Sequence, residues 1–271
     1  MAFWEKYINQ QESEVEVVNE RHESPPNFKS PKEDVLTFRE KTSSKKIGRG
    51  ITNSSFIELK DDGKGVFKTE DYQNERGAYL IDRFLGLNLT PPTAVRMLDG
   101  EMGSMQEFIP DAKTFSEVKA DSNPTEGGYN SLLNKHKVDL MKMWIFDIII
   151  GNTDRHGGNF LIQGDTLYAI DHGYSLNHQG PNFEDKIWLN HGFRQFFDEQ
   201  LPQELITGIK NFLERPEEQQ ILEELLSELF DKQYASVCLR RIKTLGEILV
   251  KNGKISRPQG DDYHAYEISI I

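Results

Sequence analysis

The sequence predicts an α+β chain, strand-rich in its first part and helical in its second, on three observations. Short apolar runs of strand length, separated by Gly, Asp and Pro turns, occupy residues 41–110, among them Gly65-Val66-Phe67-Lys68 after the Asp61-Asp62-Gly63 turn. From Pro202 onwards apolar residues recur at helical spacing: Leu205, Ile209, Phe212 and Leu213, then Ile221, Leu222, Leu225, Leu226 and Leu229, then Val237, Leu239, Ile242, Leu245, Ile248 and Leu249. Between these parts lies Gly151–Gly173, where the strand-like runs Asn159-Phe160-Leu161-Ile162 and Thr166–Ile170 fall between Asp154 and Asp171.

Residues 1–40 begin with a short amphipathic piece and turn polar and proline-bearing at Ser24-Pro25-Pro26 and Ser30-Pro31, so they read as an N-terminal extension with little core of its own. Within 41–110 a helix is expected over 73–87, with Ala78, Ile81, Phe84 and Leu85 on one face and Glu75 in its first turn. Pro91-Pro92 breaks it and a further strand opens. Residues 111–135, rich in Asp, Ser, Asn, Pro and Gly, read as a mobile connector to a helix over 136–150 whose apolar face is Leu140, Trp144, Ile145, Ile148 and Ile149. Residues 111–252 form the helical part, Pro216 opening its middle helix, and 253–271 read as a polar tail.

At 271 residues the chain can bury a sizeable core, and a single two-part unit fits better than two independent domains. With 37% hydrophobic and 28% charged residues it has the composition of a polar globular protein. Its net charge of −12 disfavours nucleic acid and anionic membrane surfaces as partners, since both select Lys and Arg clusters. The two basic clusters, Lys41–Lys46 and Arg240-Arg241-Ile242-Lys243, read as solvated faces or charges beside a nucleotide rather than as docking sites. The single cysteine, Cys238, rules out an internal disulfide and points to the cytoplasm. The N-terminus lacks the pattern of a secretory signal, and the longest apolar run, Trp144–Ile150, is interrupted by Asp147. Delivery into a host cell is left open.

The chemistry concentrates in Gly151–Gly173. Mg²⁺ takes hard oxygen ligands, and a hydroxyl nucleophile needs a carboxylate to orient it and accept its proton. Asp154, Asn159 and Asp171 can supply both. Asp-x4-Asn followed by Asp-x-Gly is the spacing of the catalytic and metal loops of protein kinases, but Thr153 precedes Asp154 and the second motif is Asp171-His172-Gly173. Gly-Asn-Thr-Asp-Arg-His-Gly-Gly-Asn with Ala-Ile-Asp-His-Gly downstream resembles instead the phosphatidylinositol 3-/4-kinase-related superfamily, particularly its small bacterial members and the HipA-like protein kinases. His156 and His172 read as hydrogen-bonding partners within the loops.

That resemblance implies a two-lobed protein-kinase-like fold binding ATP with Mg²⁺ or Mn²⁺, with Asp154 catalytic and Asn159 and Asp171 as metal ligands. It implies an upstream nucleotide lysine, for which Lys68 qualifies, held by Glu75 on the following helix with Glu70 and Asp71 as competitors. Gly48 and Gly50 would then be the phosphate turn, with Asn53, Ser54 and Ser55 as donors. Gln106, Glu107, Phe108 and Ile109 would be the hinge that reads the base, while Met105 and Phe108 serve equally as core. The chain's acidity favours a protein Ser/Thr hydroxyl as acceptor over a phosphoinositide. A lipid kinase, a relative performing AMP transfer or glutamylation, and a non-catalytic nucleotide binder remain alternatives.

Overall fold

The computed structural model describes residues 30–47, 54–121, 128–176, 186–188, 191–257 and 267–269. Five antiparallel strands, β1 (Lys41–Lys46), β2 (Ser54–Leu59), β3 (Lys64–Lys68), β4 (Thr93–Leu98) and β5 (Glu101–Glu107), form one sheet in the order β1-β2-β3-β5-β4. Asp61 and Asp62 between β2 and β3 are both left-handed, at φ 53° and 59°, as are Asp99 and Gly100 between β4 and β5. That handedness matches the twist of the strands they join. Ile57, Leu59, Phe67, Ala94, Leu98 and Met105 form the core of this lobe. Gly103 permits the approach of β5 to β3, because a Cβ there would stand 2.5 Å from the Lys68 carbonyl oxygen.

Two helices flank the sheet. The first, α1 (Pro31–Phe38), starts with a capping box: the Ser30 hydroxyl accepts from the Glu33 amide, and the Glu33 carboxylate accepts from the Ser30 amide at 2.8 Å. Glu33 and Leu36 of α1 are buried. The Glu33 carboxylate accepts from Arg76 at 2.6 Å, Arg83 at 2.5 Å and the Tyr79 hydroxyl at 3.1 Å, all on α2 (Tyr72–Phe84). Burial opposes its ionisation, but Arg76, the Ser30 amide and Arg83 outweigh this and hold its pKa below the usual range. A helix within the proline-bearing extension is thus clamped onto the lobe that follows it.

The second lobe is built on α5 (Lys137–Ile150), which is buried along most of its length. The segment read as a connector carries structure: β6 (Lys113–Thr114), α3 (Phe115–Asp121) and α4 (Gly128–Lys135). Their periods are too short to register as an apolar face. β6 joins β7 (Phe160–Gln163) and β8 (Thr166–Ala169) in an antiparallel sheet. β9 (Lys186–Trp188) pairs with β10 (Glu267–Ser269), which ties part of the expected tail to the body. The three expected helices are α6 (Gln203–Leu213), α7 (Pro216–Leu229) and α8 (Lys232–Asn252). Arg241 of α8, read in sequence as part of a solvated basic cluster, is instead buried and donates to the Ile148 and Ile149 carbonyls at 2.6 and 2.9 Å, completing the C-terminal turn of α5. Gly151, at φ 64°, ends α5 and releases the chain into the loop that carries Asp154.

Candidate active site

The site lies where β3, α2 and the two loops flanking the β7–β8 hairpin converge. Lys68, the last residue of β3, places Nζ 2.6 Å from Glu75 Oε1 and 2.9 Å from Asp171 Oδ1. Burial alone would lower the Lys68 pKa, but the Glu75 and Asp171 carboxylates more than offset that and raise it. Lys68 is therefore cationic throughout the physiological range. Burial would raise Glu75, and Lys68 and His172 overcome it, so Glu75 is held ionised well below the usual carboxylate range. Glu75, rather than Glu70 or Asp71, is the helix partner of Lys68.

His172 is fully buried, with Nδ1 3.4 Å from Glu75 Oε2 and its ring edge-on to Phe146 at 5.7 Å. Burial lowers its pKa, so the neutral ring steadies Glu75 from the side away from Lys68. Asp171 is left-handed, at φ 60°, an uncommon conformation for a non-glycine residue. Asn74 Nδ2 donates to the Gly173 carbonyl at 2.7 Å and ties this loop to α2.

Asp154 and Asn159 belong to a loop built from inside. Asp147 of α5 and Arg155 are both buried, Arg155 engaging the Asp147 carboxylate through Nε at 3.0 Å and Nη2 at 2.9 Å. Arg155 Nη1 also donates to the carbonyls of Asn159 and, at 2.8 Å, Ile170, so one guanidinium pins both ends of the β7–β8 hairpin. Asn152 donates to Asp147 at 3.0 Å and accepts from the Asp154 amide at 3.0 Å. The Asp154 side chain, 48% exposed, is left facing solvent. Asn159 is buried and donates to the Asp154 carbonyl at 2.9 Å, which leaves Oδ1 as the oxygen it could offer a metal. His156 is exposed, accepts from the Gly158 amide at 3.0 Å and places Nε2 3.9 Å from Asp154 Oδ2.

The donor set fits Mg²⁺ or Mn²⁺. Asp171 and Asn159 offer hard oxygens, and no group of three or more His, Cys, Asp or Glu able to hold a metal occurs among the described residues. An ion held here would draw its remaining ligands from water and from the phosphates of a nucleotide.

The other expected site residues are distributed as follows. Gly48, Gly50 and Asn53 lie outside the described residues. Ser54 stands opposite Lys68 in the β2–β3 register, and Ser55 opposite Phe67. Gln106 directs its amide to Thr93 Oγ1 at 3.0 Å, within the first lobe. The Glu107 and Phe108 amides donate to the carbonyls of Pro92 and Lys64 at 2.8 and 3.1 Å. Glu107 also pairs with Lys32 of α1 at 2.8 Å, and Phe108 packs edge-on against Phe56 at 4.9 Å. Ile109 is buried and Met105 belongs to the core. The residues that local motif reading passed over are Asn74, Asp147, Asn152 and Arg155. Asp147 carried a signal, since a carboxylate inside an apolar helical run must find a buried partner.

A model of the phosphatidylinositol 3- and 4-kinase family matches residues 62–236, well over half of the chain. Phosphatidylinositol 4-kinase gamma 2 of Arabidopsis thaliana is 27% identical over 172 residues, which cover 50% of this chain and 28% of that protein. The chain thus matches less than a third of that relative's length. Among solved structures, the Golgi casein kinase with Mn/ADP bound superposes with a TM-score of 0.53 at 18% identity, over 84% of this chain and 79% of that one. The Helicobacter pylori proinflammatory kinase CtkA gives a TM-score of 0.53 at 15% identity, over 80% of this chain and 98% of that one. At such identities the likeness is one of fold, and the fold is that of a kinase. With its matched segment running from the turn before β3 into α8 and spanning Lys68, Glu75, Asp154, Asn159 and Asp171, the chain belongs to the phosphatidylinositol 3- and 4-kinase family.

Proposed function

We propose that this chain transfers the γ-phosphate of ATP to a Ser or Thr hydroxyl of a protein, with Mg²⁺ or Mn²⁺ as the metal. The observation that carries this reading is Lys68 held between Glu75 and Asp171, beside a loop that exposes Asp154. In this reading Lys68 holds nucleotide phosphate oxygens, with Glu75 and His172 fixing its direction. Asp154 orients the acceptor hydroxyl and takes its proton at a carboxylate oxygen. Asn159 and Asp171 would hold the metal, which would supply charge neutralisation at the phosphates. Positioning and charge neutralisation supply most of the rate in this chemistry.

A protein acceptor is supported by the net charge of −12, which repels anionic lipid surfaces, and by the resemblance of Gly151–Gly173 to HipA-like protein kinases. The second reading, a phosphoinositide kinase, draws on the family model and the plant relative's name. Incubation with γ-labelled ATP and Mg²⁺ or Mn²⁺ separates them, with casein and phosphatidylinositol vesicles offered side by side. Label on protein Ser or Thr supports the proposal. Label confined to lipid sinks it, and a mass gain other than one phosphate indicates AMP transfer or glutamylation.

A further inference from the structure

A cavity of about 370 Å³ opens between the first lobe and α7 of the second, where Leu225, Glu228 and Leu229 line it, away from the Lys68 site. Thr37 and Phe38 of α1, Tyr72 and Leu80 of α2 and Met97 of β4 are among its walls. Three of the lining residues are large apolar side chains left in water: Phe38 is 57% exposed, Met97 59% and Met102 41%. Contiguous exposed apolar groups of this kind mark a surface that something covers. The same wall contains Arg96, whose Nε is buried with no hydrogen-bond partner.

We infer that this groove is the docking site, within the same molecule, of the N-terminal segment around Phe3, Trp4, Tyr7 and Ile8. Residues 1–29 lie outside the described residues and join the fold at Ser30, the N-cap of α1, whose own side chains line the groove. In sequence, Phe3, Trp4, Tyr7 and Ile8 stand at positions i, i+1, i+4 and i+5, which share one face of a helix. They bring aromatic and aliphatic surface to an apolar groove.

Reach is ample. Residues 9–29 span up to about 70 Å when extended, against about 12 Å for the length of α1. The tether also sets a local concentration on the order of millimolar, which a second copy or a separate partner must exceed to compete. α1 and α2 are two walls of the groove and are already joined through Glu33, Arg76 and Arg83. An occupied groove therefore braces the helix that presents Glu75 to Lys68.

The test uses the full chain and needs no enzymatic activity. Trp4→Cys is combined with Met97→Cys and, as a control, with Val138→Cys on α5, an exposed site outside the groove. The native Cys238 is buried, which pushes its thiol up to about 12 and keeps it out of the reaction. After mild oxidation, intact mass and peptide mapping should show a disulfide within one chain, about tenfold more abundant for the Met97 pair than for the Val138 pair. Equal yields, no disulfide, or a disulfide between two chains would overturn the inference, the last by showing that a second copy occupies the groove.

Discussion

Arg155 ties three parts of the site together. Its guanidinium closes on Asp147 beneath the loop and on the carbonyls of Asn159 and Ile170 at the two ends of the β7–β8 hairpin. The position of Asp154 thus depends on a buried charge pair. Arg155→Ala leaves the Asp147 carboxylate buried and unpaired, a loss of about 3–5 kcal/mol for breaking such a pair. The melting temperature should fall by about 6 °C or more for a chain of this size. Arg155→Lys should recover only part, because a single ammonium cannot reproduce the fork that reaches Asp147 and two carbonyls at once. A melting temperature of Arg155→Ala within about 2 °C of the parent would refute the pinning role.

Among the elements, α2 is the one whose placement decides the site, and Asp82 fixes its far end. The Asp82 carboxylate is buried and accepts from the Leu89 and Thr90 amides at 3.1 and 3.0 Å, stapling the turn that leads into β4. Burial pushes its pKa up to about 7 despite those bonds. The folded value therefore lies above the unfolded one, near 3.9, so the folded chain keeps a proton that the unfolded chain releases. Asp82 thus favours folding below about pH 4 relative to neutral pH, and that contribution is lost as pH rises towards about 7. An asparagine at this position carries no such titration, while every other group cancels in the comparison. The melting temperature of Asp82→Asn relative to the parent should rise from about pH 5 to about pH 7 and level off above it. A pH-independent difference would show that Asp82 does not titrate in this window.

Elements with a strong local period were legible in the sequence. The helix expected over 73–87 is Tyr72–Phe84, the one expected over 136–150 is Lys137–Ile150, and Pro216 opens α7 as read. α1, α3 and α4 were not legible, because helices of 7 or 8 residues do not complete enough turns to display an apolar face. α1 is held by Glu33 reaching Arg76 and Arg83, partners 43 and 50 residues away, and no local pattern encodes such contacts. The same distinction divides the site. Asp154, Asn159 and Asp171 were visible as a spaced motif, whereas the loop's foundation in Asp147, Asn152 and Arg155 became visible only once α5 was packed.

On the scale of the whole molecule, the two lobes have separate apolar cores, one beneath the five-stranded sheet and a larger one around α5 and α6–α8. The contact between Lys68 and Asp171, 103 residues apart, crosses from one to the other. No helix among the described residues is long and apolar enough to cross a membrane. The central claim is that Lys68, Asp154 and Asp171 act together in moving a phosphate from ATP to a protein hydroxyl. It is tested most directly by γ-phosphate transfer from labelled ATP, measured by mass spectrometry of the labelled acceptor, for the parent chain, Asp154→Ala and Asp171→Ala. The parent should label Ser or Thr, and each variant should lose at least about a hundredfold in rate, as removal of a proton acceptor or a charge-neutralising group does, while melting within a few degrees of the parent. Parent-like labelling by either folded variant would contradict the account.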